Sequence, residues 1–309
     1  MRAGPALSAL LLPVALAACV GGAPVAPTPA PLPASSSITP PSAETLAGRA
    51  YYEKVEANYL GQDRMREDGG GPDTPFTTRD LVDNFLAIAF FDEFAERNGQ
   101  LVAGGTENRL HRWLGPVRVG VIFGASVPED QRASDRAAIA EYIGRLSRLS
   151  GLPIWMSDRN PNHSVLVLNP EERRLAAPLI RAAAPAASIA AISSVAEMRP
   201  DIYCTAFTFS TGRGDVIERA VSVIRGELTQ KLRLLCIHEE LAQSLGLIND
   251  SPKARPSIFN DNEEFALLTR QDELMLRILY DSRLRPGMTL AEARPIVEVI
   301  AAELTGGEG

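Results

Sequence analysis

Cys236-Ile237-His238-Glu239-Glu240-Leu241-Ala242-Gln243-Ser244-Leu245-Gly246-Leu247-Ile248-Asn249-Asp250 is the stretch whose reading decides this chain. At 100° per residue, Leu234, Ile237, Leu241 and Leu245 share one helix face, which must be the buried one. Cys236, Glu239, Glu240 and Gln243 share the opposite arc. Glu239 and Gln243 stand one turn apart, the geometry that two metal ligands on a helix need. Glu240 sits beside them, where a water-activating base belongs. Gly246 permits a sharp turn that swings Asn249 or Asp250 back as a further ligand. His238 falls toward the apolar side, and its i+4 partner is Ala242, which ligates nothing.

The donor types restrict the chemistry. Zinc prefers imidazole and thiolate, with carboxylate third. The chain has three histidines, His111, His163 and His238, on distant segments. An oxygen set of Glu239, Gln243 and Asp250 suits one calcium or manganese ion better. The plain alternative is that Glu239, Glu240 and Gln243 form the wet face of an amphipathic helix, Gly246 an ordinary helix cap and Asn249-Asp250 a turn. A glycosidase-type carboxylate pair is excluded for Glu239 and Glu240, because adjacent helix residues point about 100° apart.

The spacing resembles that of metzincin peptidases, H-E-x-x-H-x-x-G-x-x-H. The matching slots hold Glu239, Glu240, Gln243, Gly246 and Asn249, with Asp250 adjacent. The layout implies a zincin-like fold, and the absent histidines put its chemistry in question.

The rest of the chain gives the element order. Leu81, Phe85, Ile88 and Phe91 predict a helix opened by Thr77-Thr78-Arg79-Asp80 and running to about Asn98. Val117 to Phe123 reads as a strand, and 129–149 as a helix stopped by Gly151. Short strands follow at 152–156 and 163–168, then an Ala-rich helical segment over 171–190 broken by Pro178 and Pro185. Tyr203 to Phe209 is a fourth strand, and 226–245 the long central helix. Helices at 272–279 and 289–304 close the chain. The expected class is α+β, zincin-like: a small twisted mixed sheet, a long central helix and a mainly helical C-terminal part.

The N-terminus suggests a location. Met1-Arg2 is a short positive start, and 6–16 is an apolar run too short to span a bilayer. Leu16-Ala17-Ala18-Cys19 resembles the lipobox of bacterial lipoproteins. This implies a signal peptide over 1–18 and a lipidated Cys19 as membrane anchor. Val20, not Asp, after the cysteine favours the outer membrane, facing the periplasm. Residues 19–42, with Pro27-Thr28-Pro29-Ala30-Pro31-Leu32-Pro33, read as an extended tether. That leaves 43–309 for a single globular domain.

Composition fits: 45% hydrophobic, 22% charged and net charge −7. The absence of a basic run and an aromatic content of 6% exclude nucleic acid as a partner. With Cys19 taken by lipid, Cys204 and Cys236 form a pair in an oxidising compartment and are expected to be bridged. Two buried thiols are the alternative.

Cys236 through Asp250, Pro256-Ser257-Ile258-Phe259-Asn260-Asp261 and Leu279 through Met288 together resemble the domain of unknown function 2927 family of proteobacterial secreted and lipid-anchored proteins. The family carries no assigned activity. Two functions remain in view. One is a non-catalytic, zincin-like binding scaffold for a peptide or envelope partner, without cofactor. The other is a metal-dependent, peptidase-like hydrolase in which Glu240 activates water at an oxygen-rich site made from Glu239, Gln243, Asn249 and Asp250. Ligand chemistry outweighs spacing and favours the scaffold.

Overall fold

Threonines set the helix starts. Thr77, Thr229, Thr269 and Thr289 each take extended backbone and accept a backbone N–H three residues on. They open α2 (Thr78–Ala89), α7 (Gln230–Gln243), α8 (Arg270–Leu279) and α9 (Leu290–Thr305). Asp80, Asp272 and Glu292 return the bond and complete three capping boxes. Helix α3 (Glu129–Ser150) stops at Gly151, whose φ of 72° a side chain would resist.

A computed structural model of the chain describes Met1 and residues 39–210 and 214–306. The expected signal peptide over 1–18, Cys19 and most of the 19–42 tether lie outside the described residues. From Thr39 onward the chain is tied down: Thr39 N–H donates to Ala125 O, and Ser42 caps α1 (Ala43–Leu60).

The main sheet has strand order β4 (Ile154–Met156), β3 (Val117–Phe123), β5 (His163–Leu168), β7 (Arg219–Arg225), β6 (Cys204–Phe209). All neighbours are parallel except β6, which runs antiparallel to β7 with Cys204 opposite Ile224 and Phe209 opposite Arg219. The sheet is therefore mixed. Its side chains alternate between two cores, as the two-residue period requires. Val165, Val167, Ala220 and Ile224 face the larger core with α2, α3, α7 and α8. Leu166, Leu168, Val221 and Val223 face a smaller one under α5 (Ala177–Ala183) and α6 (Ile189–Ala196), which follow the single turn α4 (Pro170–Arg173).

A second sheet is a hairpin, β1 (Phe91–Arg97) and β2 (Gln100–Glu107). The expected helix to Asn98 is corrected here: α2 ends at Ala89. Asn98 and Gly99 both have positive φ, the two-residue turn that matches strand twist. The central helix is shorter than expected as well. Arg219–Arg225 is a strand and Gly226 to Thr229 a connection, so the helix begins at Gln230. Its middle joins β6 through the Cys204–Cys236 disulfide. The C-terminal part is helical, with a 3₁₀ turn at Ile258–Asn260 before α8 and α9.

Candidate functional site

Helix α7 lies against β6 and β7, so the arc carrying Glu239, Glu240 and Gln243 faces an interior cavity rather than water. Glu240 is 3% exposed and Gln243 5%. The wet-face reading is thereby overturned for Glu240 and Gln243, while Glu239 is half-buried. After α7 the chain turns at Gly246, whose φ is +123°. The turn returns Asp250 to the helix, where Gln243 Nε2 donates to Asp250 Oδ1 at 3.1 Å. Asn249 goes elsewhere. Its side chain donates to Ala87 O at 2.9 Å and its N–H to Ile88 O, which moors the turn to α2.

Two further segments complete the wall. Strand β1 supplies Glu93 and Phe94, and the loop after the 3₁₀ turn supplies Asp261 and Glu263. Asp261 and Glu263 have φ of 59° and 49°. Neighbouring Asn side chains hold this loop: Asn260 Oδ1 accepts from Asn262 N, and Asn262 Oδ1 from Glu264 N. Glu263 O also accepts from Met65 N. Tyr203 and Cys204 close the side toward β6. The cavity measures about 130 Å³.

Among the described residues no Lys or Arg lines this cavity, while Glu93, Glu239, Glu240, Asp250, Asp261 and Glu263 all do. Burial disfavours each charge and the neighbours repel. Asp250 is pushed up to about 8, first by burial and then by Asp261, against the opposing bond from Gln243. Glu239 and Glu240 are raised well above the carboxylate range by burial, then by Asp250. Glu93 is raised for the same two reasons, and Asp261 and Glu263 by burial. Glu240 Oε2 is buried without any hydrogen-bond partner. Burial therefore favours the protonated forms, and a cation entering the cavity would displace those protons and restore the charges.

The donor set fits a metal poorly. Among the described residues, one group of His, Cys, Asp and Glu atoms is close enough to share an ion: Cys204 Sγ with one oxygen each from Glu239 and Glu240, all within 4.8 Å. Cys204 is in the disulfide and offers no thiolate. Two carboxylates remain, and Gln243 points its amide N–H at Asp250. Asn249 is outside the cluster altogether.

The histidines are all committed elsewhere. His238 stacks on Tyr142 with ring centroids 3.9 Å apart, and its Nδ1 accepts from Leu268 N, with burial lowering it to about 3. His163 bonds Ser222 Oγ at 2.9 Å in the core, and burial lowers it to about 4. His111 bonds Asn108.

Sequence reasoning missed Glu93, Asp261 and Glu263. The first was hidden by reading β1 as helix. The others had one signal, the Asn-Asp-Asn run at 260–262, which favours positive φ.

Beside the cavity runs a groove of about 330 Å³. One wall is β6, from Ala206 to Phe209. The opposite wall is the β1–β2 hairpin, with Ser188 and Ala191 of the α6 region completing it. Glu93, Phe94 and Gln243 line both spaces, so groove and cavity are continuous. Among the described residues no strand pairs with the outer edge of β6.

A family model described as a protein of unknown function (DUF2927) matches residues 78–299. No curated protein and no solved structure matches the chain.

Proposed function

The chain belongs to the DUF2927 family, and from that premise we propose that it is a non-catalytic binding protein of the bacterial cell envelope, which takes an extended peptide segment along the outer edge of β6. One observation carries the reading: among the described residues the outer edge of β6 is unpaired and faces a groove of about 330 Å³. An edge strand presents alternate N–H and C=O groups that an added strand satisfies. Side chains of Phe207 and Phe209 pack against the smaller core on the other side, which stiffens the strand.

The arrangement of α7 beneath an antiparallel edge strand supports a zincin-like layout. In that reading Glu239 and Gln243 occupy positions where a peptidase carries metal-binding histidines. The envelope location rests on the N-terminal sequence, with Cys19 as the lipid anchor and the groove on the periplasmic face.

The test is selection of peptides from an extended-peptide library by the whole protein in detergent, followed by amide hydrogen exchange. Protection by a selected peptide concentrated at Cys204–Phe209 supports the reading, and protection that leaves β6 unchanged overturns it. The metal-dependent hydrolase has a separate test. Stoichiometric calcium, manganese or zinc, lost in Glu239→Ala, together with peptide hydrolysis lost in Glu240→Gln, would replace the scaffold reading.

A further inference from the structure

We propose that the acidic cavity is the receptor for one basic side chain of the bound segment, an arginine in preference to a lysine. The inference rests on the β6 reading for where the segment lies, and on the cavity alone for what enters it.

Six carboxyl groups line the cavity with no Lys or Arg between them among the described residues, and the seventh, Asp201, is already paired with Arg199. Among them Glu240 is 97% buried by its 3% exposure, lines the space, and leaves Oε2 without a donor. A desolvated acceptor is left unpaired in a native fold only at a cost, and such groups mark places where a ligand supplies the missing bond. No described residue donates to it, and Gln243 directs Nε2 to Asp250 instead.

Size selects the ligand. A volume of about 130 Å³ is several times the roughly 30 Å³ share of one water. That is too large for a bare ion held by Glu239 and Glu240 and suits the end of a long side chain. The carboxyls approach from α7, from Asp250 after its turn, from β1 and from the Asp261–Glu263 loop, so they surround the space. A guanidinium offers five donors in a plane and meets several carboxylates at once, whereas an ammonium is a compact and more strongly hydrated charge. Phe94 and Tyr203 also line the space, and aromatic rings add attraction for such a cation. Geometry also sets the register. Cys204 lines the cavity and Ala206 to Phe209 line the groove, so the basic residue sits near the Cys204 end of β6.

The experiment uses capped decapeptides of Thr, Val and Ser with a single central Arg, Lys, citrulline or norleucine. They are titrated against the whole protein in detergent, with exchange protection of β6 recorded in parallel. The expected result is at least tenfold tighter binding of the Arg peptide than of citrulline, with Lys between them. In Glu240→Gln, nearly isosteric and so expected to stay folded, the Arg advantage collapses. Binding in which Arg and citrulline are equal, with β6 still protected, overturns this proposal and leaves the β6 reading standing. An Arg advantage that depends on Glu240 while β6 is unprotected does the opposite. Absence of any Arg binding overturns the proposal, as does stoichiometric calcium or manganese displaced by none of the four peptides.

Discussion

Gln243 donates from Nε2 to Asp250 Oδ1 across the turn made by Gly246, and this bond links the side chains of α7 and the returning loop wall directly. It partly offsets the burial that lifts Asp250 to about 8. The unfolded chain releases this proton near the ordinary value of 3.8. Between those values the folded state holds more protons, so stability is full below about 4 and falls as pH rises through about 8. Asp250→Asn removes that loss. Thermal melts should show the variant more stable at pH 8 by roughly 1 kcal/mol, about 2–4 °C, and no more stable at pH 4. A variant that melts lower at pH 8 would contradict the charge argument.

Gly246 is fixed by space as well as by φ. A Cβ there would sit 2.2 Å from His111 O, a backbone atom that cannot step aside. Gly246→Ala should cost about 3 kcal/mol or more, in the range of strain and overpacking combined. Gly151→Ala meets nothing within 4 Å and should cost only about 1 kcal/mol from its positive φ. Urea midpoints of the two variants, measured side by side, check the contrast.

The disulfide closes a loop between residues 32 apart in sequence. On the chain-entropy relation its removal in the double variant Cys204→Ala, Cys236→Ala should cost about 3–4 kcal/mol, which corresponds to about 10 °C in a domain of this size. Scanning calorimetry of the variant and of the reduced wild type should give similar losses. A change below a degree would mean that the bridge constrains little.

A buried ion cluster joins β7 to α4. Arg173 and Arg225 both donate to Glu227, and the side chains of all three are at most 5% exposed. Arg225 also lies over the Tyr52 ring of α1. Glu227→Gln leaves two guanidinium groups with a neutral partner in the interior. The expected loss is about 3–5 kcal/mol, seen in chemical denaturation, with the melting of α1 and the sheet still cooperative.

The starts of α2, α3 and α9 and the buried face of α3 were legible because caps and periodicity are local, whereas α1 was not read and α7 was begun too early. The hairpin was not. Phe91 continues the spacing of Leu81, Phe85 and Ile88, so local pattern extends the helix, and only pairing with β2 overrides it. The Asn98-Gly99 turn was the available signal, and reading it as a mere break hid Glu93 from the site. β7 escaped notice because its ends are Arg219 and Arg225, charges that suit a surface loop. Arg225 is in fact buried against Glu227. The α7 residues of the site were legible as a constellation, but their environment was not. A wheel separates two arcs without telling which second body covers the polar one. Asn249 and Asp250 were equivalent in sequence, and only the contact of Asn249 with Ala87 O separates them.

The cross-link between Cys204 and α7 also has a mechanical meaning. An edge strand carrying cargo is held to its sheet by one ladder, and a pull normal to that ladder unzips it bond by bond. Cys204 is the first residue of β6, so the covalent strut stands where such peeling would begin. Tension on a segment docked there would pass into α7 and the packed core behind it, and the load would be borne by the whole domain rather than by six residues of backbone pairing.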